Sequence, residues 1–173
     1  SNICTSQVLL AVISVFYAMY HGPQGLKRIA ERIHLLTKML AIGLEQLEYK
    51  RLNNTFFDTL TIDVGPKQQA IITAAEKLHI NFYPRGDKQI SLSINETTNT
   101  KDITDLLAFF AEQQGAQASY TADLSALEDA DQTEQIIPQP LIRQSEFLSH
   151  PEFNSYHSET EMLRYLKRLE SKD

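Results

Sequence analysis

From Leu26 to Leu47 the apolar residues Leu26, Ile29, Ile33, Leu36, Leu40, Leu44 and Leu47 recur at intervals of three or four. That spacing lines one face of an α-helix, while Lys27, Arg28, Glu31, Arg32 and Lys38 mostly take the other sides. It predicts a long amphipathic helix reaching about Glu48. Whatever follows has to supply the surface that buries its stripe.

The period then changes. Residues 50–55 read as a polar connection, after which Phe56, Leu60, Ile62 and Val64 fall on one side of an alternating strand. Gly65-Pro66 closes that strand and opens a helix over 66–78, with Pro66 in the first turn, where its missing donor costs nothing. The helix buries Ile71, Ala74, Ala75 and Leu78 and gives way to Ile80-Asn81-Phe82-Tyr83. Arg85-Gly86-Asp87 precedes a second alternating run, Ile90, Leu92 and Ile94, so a hairpin is expected. Asn99 or Thr100 caps the next helix, which carries Ile103, Leu106, Leu107, Phe109 and Phe110 and ends near Gly115. The expected fold class is α/β (α+β), a small three-stranded sheet with flanking helices in β-α-β-β-α order, preceded by two long helices.

The first of those helices lies in residues 5–20, which are apolar on nearly all sides, as suits a helix buried between layers or against another domain. The run 8–20 falls short of the roughly 20 residues that a membrane span requires. Ser14 interrupts it, and no basic segment of the signal-peptide type precedes it. His21-Gly22-Pro23-Gln24-Gly25 breaks it. At the other end, residues 117–142 contain no Lys, Arg or His but hold Asp123, Glu128, Asp129, Asp131 and Glu134, which reads as a solvated linker with a short helix around 123–129 and an extended stretch over 136–140. Ser158 and Glu161 match a capping box, and Met162, Leu163, Leu166 and Leu169 form the stripe of a last helix.

Composition narrows the function classes. A formal charge of -6 over 173 residues leaves no basic footprint for nucleic acid. Cys4 is the only cysteine, so neither an internal disulfide nor a cysteine-rich zinc site can form, and a reducing, cytoplasmic compartment is expected. Gly22-Pro23-Gln24-Gly25 has the GXXG spacing of a nucleic-acid clamp, but without a basic platform a helix-helix turn is the better reading. Arg85-Gly86-Asp87, the adhesion tripeptide, sits where a hairpin needs turn residues. The run from Asp129 fails as a calcium loop because Glu134 and Pro140 occupy the positions that require Gly and Glu. His21, His34, His79, His150 and His157 show no metal-ligating spacing on a common helix face. Glu159 and Glu161 point to different sides of a helix, and capping or pairing with Arg164 accounts for Glu161. These residues describe a scaffold, with no catalytic group among them.

Four blocks in order, Ser1-Asn2-Ile3-Cys4-Thr5-Ser6-Gln7, Tyr20-His21-Gly22-Pro23 with Gly25-Leu26, Phe57-Asp58-Thr59-Leu60, and Ile90 through Thr97, are followed by the closing run YHSETEMLRYLKRLESKD. Together they resemble the P-protein of the glycine cleavage system, a pyridoxal-phosphate (PLP) dependent glycine decarboxylase. The resemblance implies fold-type I PLP architecture, with this chain supplying the small domain of the cofactor-free first half and the start of the second. The implied layout is a buried connecting helix at 1–22, a small α/β domain at 23–115, an acidic linker and extended connection at 116–157, and a helix opening the second half at 158–173. It implies that the parent enzyme decarboxylates glycine and transfers aminomethyl to lipoyl H-protein, that its partners are H-protein and the other half, and that it dimerises, with neither nucleic acid nor membrane involved. The PLP lysine is expected outside this chain, so PLP belongs to the parent and the chain alone is expected to be inactive. Asn2, Thr5 and His157 are the residues expected to approach substrate in the intact enzyme. A self-contained α/β ligand-binding or interaction domain is the competing reading. The apolar first helix, lacking its partners, is expected to favour self-association.

Overall fold

The computed structural model describes residues 8–115, 140 and 142–172. Residues fall into two compact units, one combining the chain up to Ala30 with the part from Arg143 onward, the other running from Glu31 to Ile142.

The second unit is built on a four-stranded antiparallel sheet in the order β1-β2-β4-β3. Its strands are β1 (Lys50–Arg51), β2 (Thr59–Asp63), β3 (Tyr83–Arg85) and β4 (Gln89–Ser93). The central pair sets the register: Leu60 faces Leu92 and Ile62 faces Ile90. Alternation therefore turns four apolar side chains to one face, where all are buried. On the opposite face hydroxyls pair across the strands, Thr59 with Ser93 and Thr61 with Ser91, each at 2.8 Å.

The expected three strands are corrected to four. Lys50 and Arg51 pair with Asp63 and Ile62 where a polar connection was predicted. Two charged residues carry no alternation to read, and short charged strands are a common way to finish a sheet edge. Beyond them the Asn53 side chain continues the pairing, accepting from Thr61 N at 3.0 Å and donating to Thr59 O at 2.9 Å. The expected hairpin is present, with Gly86 at a φ of 52° in its turn. Its first strand lies slightly later than Ile80-Asn81-Phe82-Tyr83, and Pro84 within it fits an edge.

Helix α1 (Val8–Gln46) contributes its later turns to this unit, α2 (Gln68–Glu76) follows a 3-10 turn at Gly65–Lys67, and α3 is Thr100–Gln113. Leu36, Leu40 and Leu44 of α1 and Ile103, Leu107 and Phe110 of α3 join Leu60, Ile62 and Ile90 in one core. A Cβ placed on Gly43 would lie 2.5 Å from Leu107 Cδ1 and Cδ2, so these helices approach at a distance only glycine permits. Asn99 caps α3 as expected, accepting from Lys101 N and Asp102 N while Asp102 reaches back to Asn99 N.

Helix α1 ends without a glycine. Glu48 takes a φ of 63°, Tyr49 N donates to Leu44 O and Glu48 N to Glu45 O, which is the Schellman pattern with an ordinary residue in the left-handed position. That position costs Glu48 roughly 1–2 kcal/mol, and burial of the next residue offsets it. Tyr49 is 5% exposed, its ring meets Phe110 edge-on at 5.2 Å, and its hydroxyl donates to Phe110 O at 3.1 Å.

Two outcomes follow. Gly43→Ala, which overfills the contact with Leu107, is expected to lower unfolding stability by about 1–3 kcal/mol in urea titration. Burial pushes the Tyr49 phenol from 10.0 up to about 12. A folded value above the unfolded one means its contribution is complete below pH 10 and is lost as pH rises toward 12. Tyr49→Phe is expected to cost about 1 kcal/mol at neutral pH and to flatten the alkaline decline in the same titration.

Candidate functional site

In the first unit α1 is interrupted at one residue. Gly22 has φ 63° and ψ 177°, a combination essentially confined to glycine, and Pro23 follows it. Pro23 offers no N–H to the Met19 carbonyl four residues back. The expected break is therefore present, but as a one-residue departure within a helical run and not as a turn over Gly22-Pro23-Gln24-Gly25.

The residues after 150 gather at this break. A 3-10 turn, Pro151–Asn154, begins under His150, whose ring Nδ1 accepts from Glu152 N at 3.3 Å. Helix α4 (Glu159–Glu170) starts at Ser158, whose hydroxyl accepts from Glu161 N at 3.3 Å. The Glu161 carboxylate reaches past the usual capping-box partner to accept from His157 N at 3.1 Å and from the Ser158 hydroxyl at 3.0 Å. Glu161 thus positions the His157 backbone, and no pairing with Arg164 is needed to explain it.

His157 Nδ1 lies 2.9 Å from Tyr20 O. A carbonyl only accepts, so Nδ1 carries the proton and, in the neutral ring, Nε2 holds the lone pair. The other edge of the ring packs on the break: a Cβ on Gly22 would come within 2.7 Å of His157 Cε1 and 3.0 Å of Phe153 O. The Tyr20 hydroxyl donates to Glu159 Oε1 at 3.0 Å. Glu159 falls below the usual carboxylate range, first through its own backbone N–H and then through Tyr20. The same bond, followed by the charge of Glu159, raises the Tyr20 phenol. Aromatic contacts extend the cluster, with Tyr156 stacked on Tyr165 at 4.4 Å and Phe16 edge-on to Tyr165 at 6.4 Å. Arg168 covers both tyrosine rings and donates to Tyr156 Oη.

Of the three residues expected near substrate, His157 is placed here, whereas Asn2 and Thr5 lie outside the described residues, as do Cys4 and the helix expected around 123–129. Tyr20, Gly22 and Glu159 were missed as partners of His157. The available signal was the recurrence of Tyr-His at 20–21 and 156–157 and a glycine placed before a proline.

The second unit offers a different surface. A depression of about 610 Å³ is lined by Leu52, Asn53, Thr61, Arg85, Lys88 and Gln89 among others. Gln68 Nε2 braces its rim by donating to Gly86 O and Gln89 O at 2.9 and 2.6 Å. Asp87 stands between Arg85 and Lys88, so the rim presents no field of one sign.

PLP does not fit the described residues. A Schiff-base lysine is activated by desolvation or a neighbouring cation, but all lysines except half-buried Lys38 are exposed. Lys67 Nζ donates to Gln113 O, Lys101 pairs with Asp105 and Lys167 with Glu170, and the Lys101 ammonium is shifted upward by Asp105. Among the described residues no group of three or more His, Cys, Asp or Glu could hold a metal. No helix there is long and apolar enough to cross a membrane.

Two of the sequence blocks meet at the Gly22 break, and two more, Phe57 to Leu60 and Ile90 to Thr97, meet as β2 and β4. The family model described as Glycine cleavage system P-protein matches residues 1–110. The chain belongs to the glycine cleavage system P-protein family. Its relatives include glycine dehydrogenase (decarboxylating) of Stutzerimonas stutzeri, 54% identical over all of this chain and 17% of the relative. That of Teredinibacter turnerae is 51% identical over all of this chain and 18% of its own length. Glycine dehydrogenase (decarboxylating) 2 of Pseudomonas fluorescens is likewise 51% identical over the whole chain, covering 18% of that protein. The chain therefore spans less than a fifth of the family members it matches.

Replacing Tyr20 with Phe tests the electrostatics of the break. The lowered Glu159 value stabilises the folded state above pH 4.5, an advantage lost as pH falls through the folded value. In Tyr20→Phe the Glu159 carboxyl is expected to titrate closer to its ordinary value by ¹³C NMR. The backbone N–H still holds part of the shift.

Proposed function

We propose that this chain serves as scaffold in a PLP-dependent glycine decarboxylase, which releases carbon dioxide from glycine and passes the aminomethyl group to lipoyl H-protein. The observation that carries this reading is identity of about half to glycine dehydrogenases (decarboxylating) over the whole chain, a match that covers both units. Within it, residues 23–115 form the small domain of the first half, 116–157 the connection, and 158–173 the opening of the second half. PLP supplies the electron sink for decarboxylation, and its lysine lies in other parts of the enzyme. The parent works in the cytoplasm as a dimer, with H-protein and the second half as partners.

Exposed apolar side chains support this role. Val8, Leu9 and Leu10 are 63%, 70% and 61% exposed, and Leu163 is 65% exposed. Patches of this kind mark surfaces that other protein covers, and the remainder of the enzyme is the covering proposed here. His157 is proposed as the described residue that approaches glycine, because its Nδ1–H is committed to Tyr20 and Nε2 is left to accept. Asn2 and Thr5 are proposed alongside it.

The test is a chimera of the Stutzerimonas stutzeri enzyme in which this chain replaces the matching segment. Glycine-dependent carbon dioxide release with PLP and H-protein is expected to stay within about tenfold of the parent, a loss of up to 1.4 kcal/mol in the barrier. A folded, dimeric chimera without activity would overturn the assignment. On its own the chain is expected to give no borohydride-trapped lysine adduct with PLP; such an adduct would move the cofactor site into this segment.

A further inference from the structure

Three features of the first unit converge on one imidazole. Gly22 occupies dihedrals that exclude other residues, and its α-face is covered by the Cε1 edge of His157. The carbonyl two residues earlier, on Tyr20, accepts from the Nδ1 edge of the same ring. The backbone of His157 is in turn held by Glu161 from inside the first turn of α4. Pro23 alone interrupts a helix, since it removes a donor and its ring crowds the preceding turn. It also steers the residue before it toward an extended ψ, but it does not select the positive φ found at Gly22.

We propose that residues 156–159 act as a latch that sets the conformation of the break in α1, with His157 as the bolt and Gly22 as its keeper. Latched, the imidazole satisfies the Tyr20 carbonyl and packs where Gly22 lacks a side chain. Glu159 adds a second hold through the Tyr20 hydroxyl. Unlatched, the Tyr20 carbonyl loses this donor, and Gly22 is free to sample other conformations, which glycine does at little cost. The start of α4 and the break in α1 are thus one two-state element. Whatever pulls α4 away changes the course of the chain at Gly22, and whatever alters Gly22 releases α4, because coupling between two sites is reciprocal. The device belongs to this chain's own residues; it shares His157 with the reading proposed above, but its test reads amide exchange and not activity.

Hydrogen exchange on the full chain reads both directions. His157→Ala is expected to speed exchange of the amides at 20–22 and 24–26 by about two- to tenfold, the range that one hydrogen bond of this kind supports. Amides of β2 and β4 stay unchanged as the internal reference. His157→Asn, whose side-chain N–H can take the place of Nδ1–H, is expected to restore most of the protection, which a purely space-filling role would not do. In the reverse direction Gly22→Ala is expected to release the His157 and Glu161 amides in their own exchange rates. Unchanged exchange at the break in His157→Ala, failure of Asn to restore it, or unchanged protection of 157 and 161 in Gly22→Ala would each overturn the latch. Should His157→Ala also disturb β2 and β4, the Gly22→Ala arm decides alone.

Discussion

The antiparallel pairing of β2 with β4 is the constraint on which the second unit depends. It places Leu60, Ile62, Ile90 and Leu92 on one face in a single register, and a slip by one residue would turn all of them to the hydroxyl face. Helices α1 and α3 then have one surface to cover, and their mutual distance is set by Gly43 against Leu107. The ends of the helices answer to the same core. Glu48 accepts an unfavourable backbone conformation because the turn delivers Tyr49 to Phe110. The loop after β4 is fastened to α1 by Arg32, which donates to Glu96 O and Thr98 O at 3.1 and 2.9 Å.

The first unit is organised by a different principle. Few of its apolar side chains are buried, Met19 at 3% exposure being an exception. Its order comes from directional contacts: the His157 imidazole, the Tyr20 phenol, the carboxylates of Glu159 and Glu161, and a glycine without a side chain in the way. Such contacts are individually worth little in water, so the arrangement relies on several acting on the same few atoms. This fits a segment whose remaining apolar surface is met by other protein, as proposed for the decarboxylase.

Much of the second unit was legible because its signals are periodic. The stripe from Ile33 to Leu47, the alternation about Leu60 and Leu92, and the cap at Asn99 are all local statements, and the structure realises each. The fourth strand was not legible, since Lys50 and Arg51 become a strand only through partners more than ten residues away. The stripe ending at Leu47 locates the end of α1 near Glu48, but the left-handed glutamate that closes it leaves no trace in composition. At the break, Gly22-Pro23 announced an interruption, while the Tyr-His pair repeated at 20–21 and 156–157 was too slight a signal to name a contact with a histidine 135 residues later.

The residues alone determined the fold class, the place of the break, the caps of α3 and α4, and, through block order, the family resemblance. These depend on neighbours within a turn or two of helix or on alternation along one strand, where sequence distance and spatial distance coincide. Only the tertiary structure decided the strand order, the glycine contact between α1 and α3, the tautomer of His157 and its seat on Gly22. Each of those is a meeting of atoms far apart in the chain, and its geometry exists only after the intervening elements have packed.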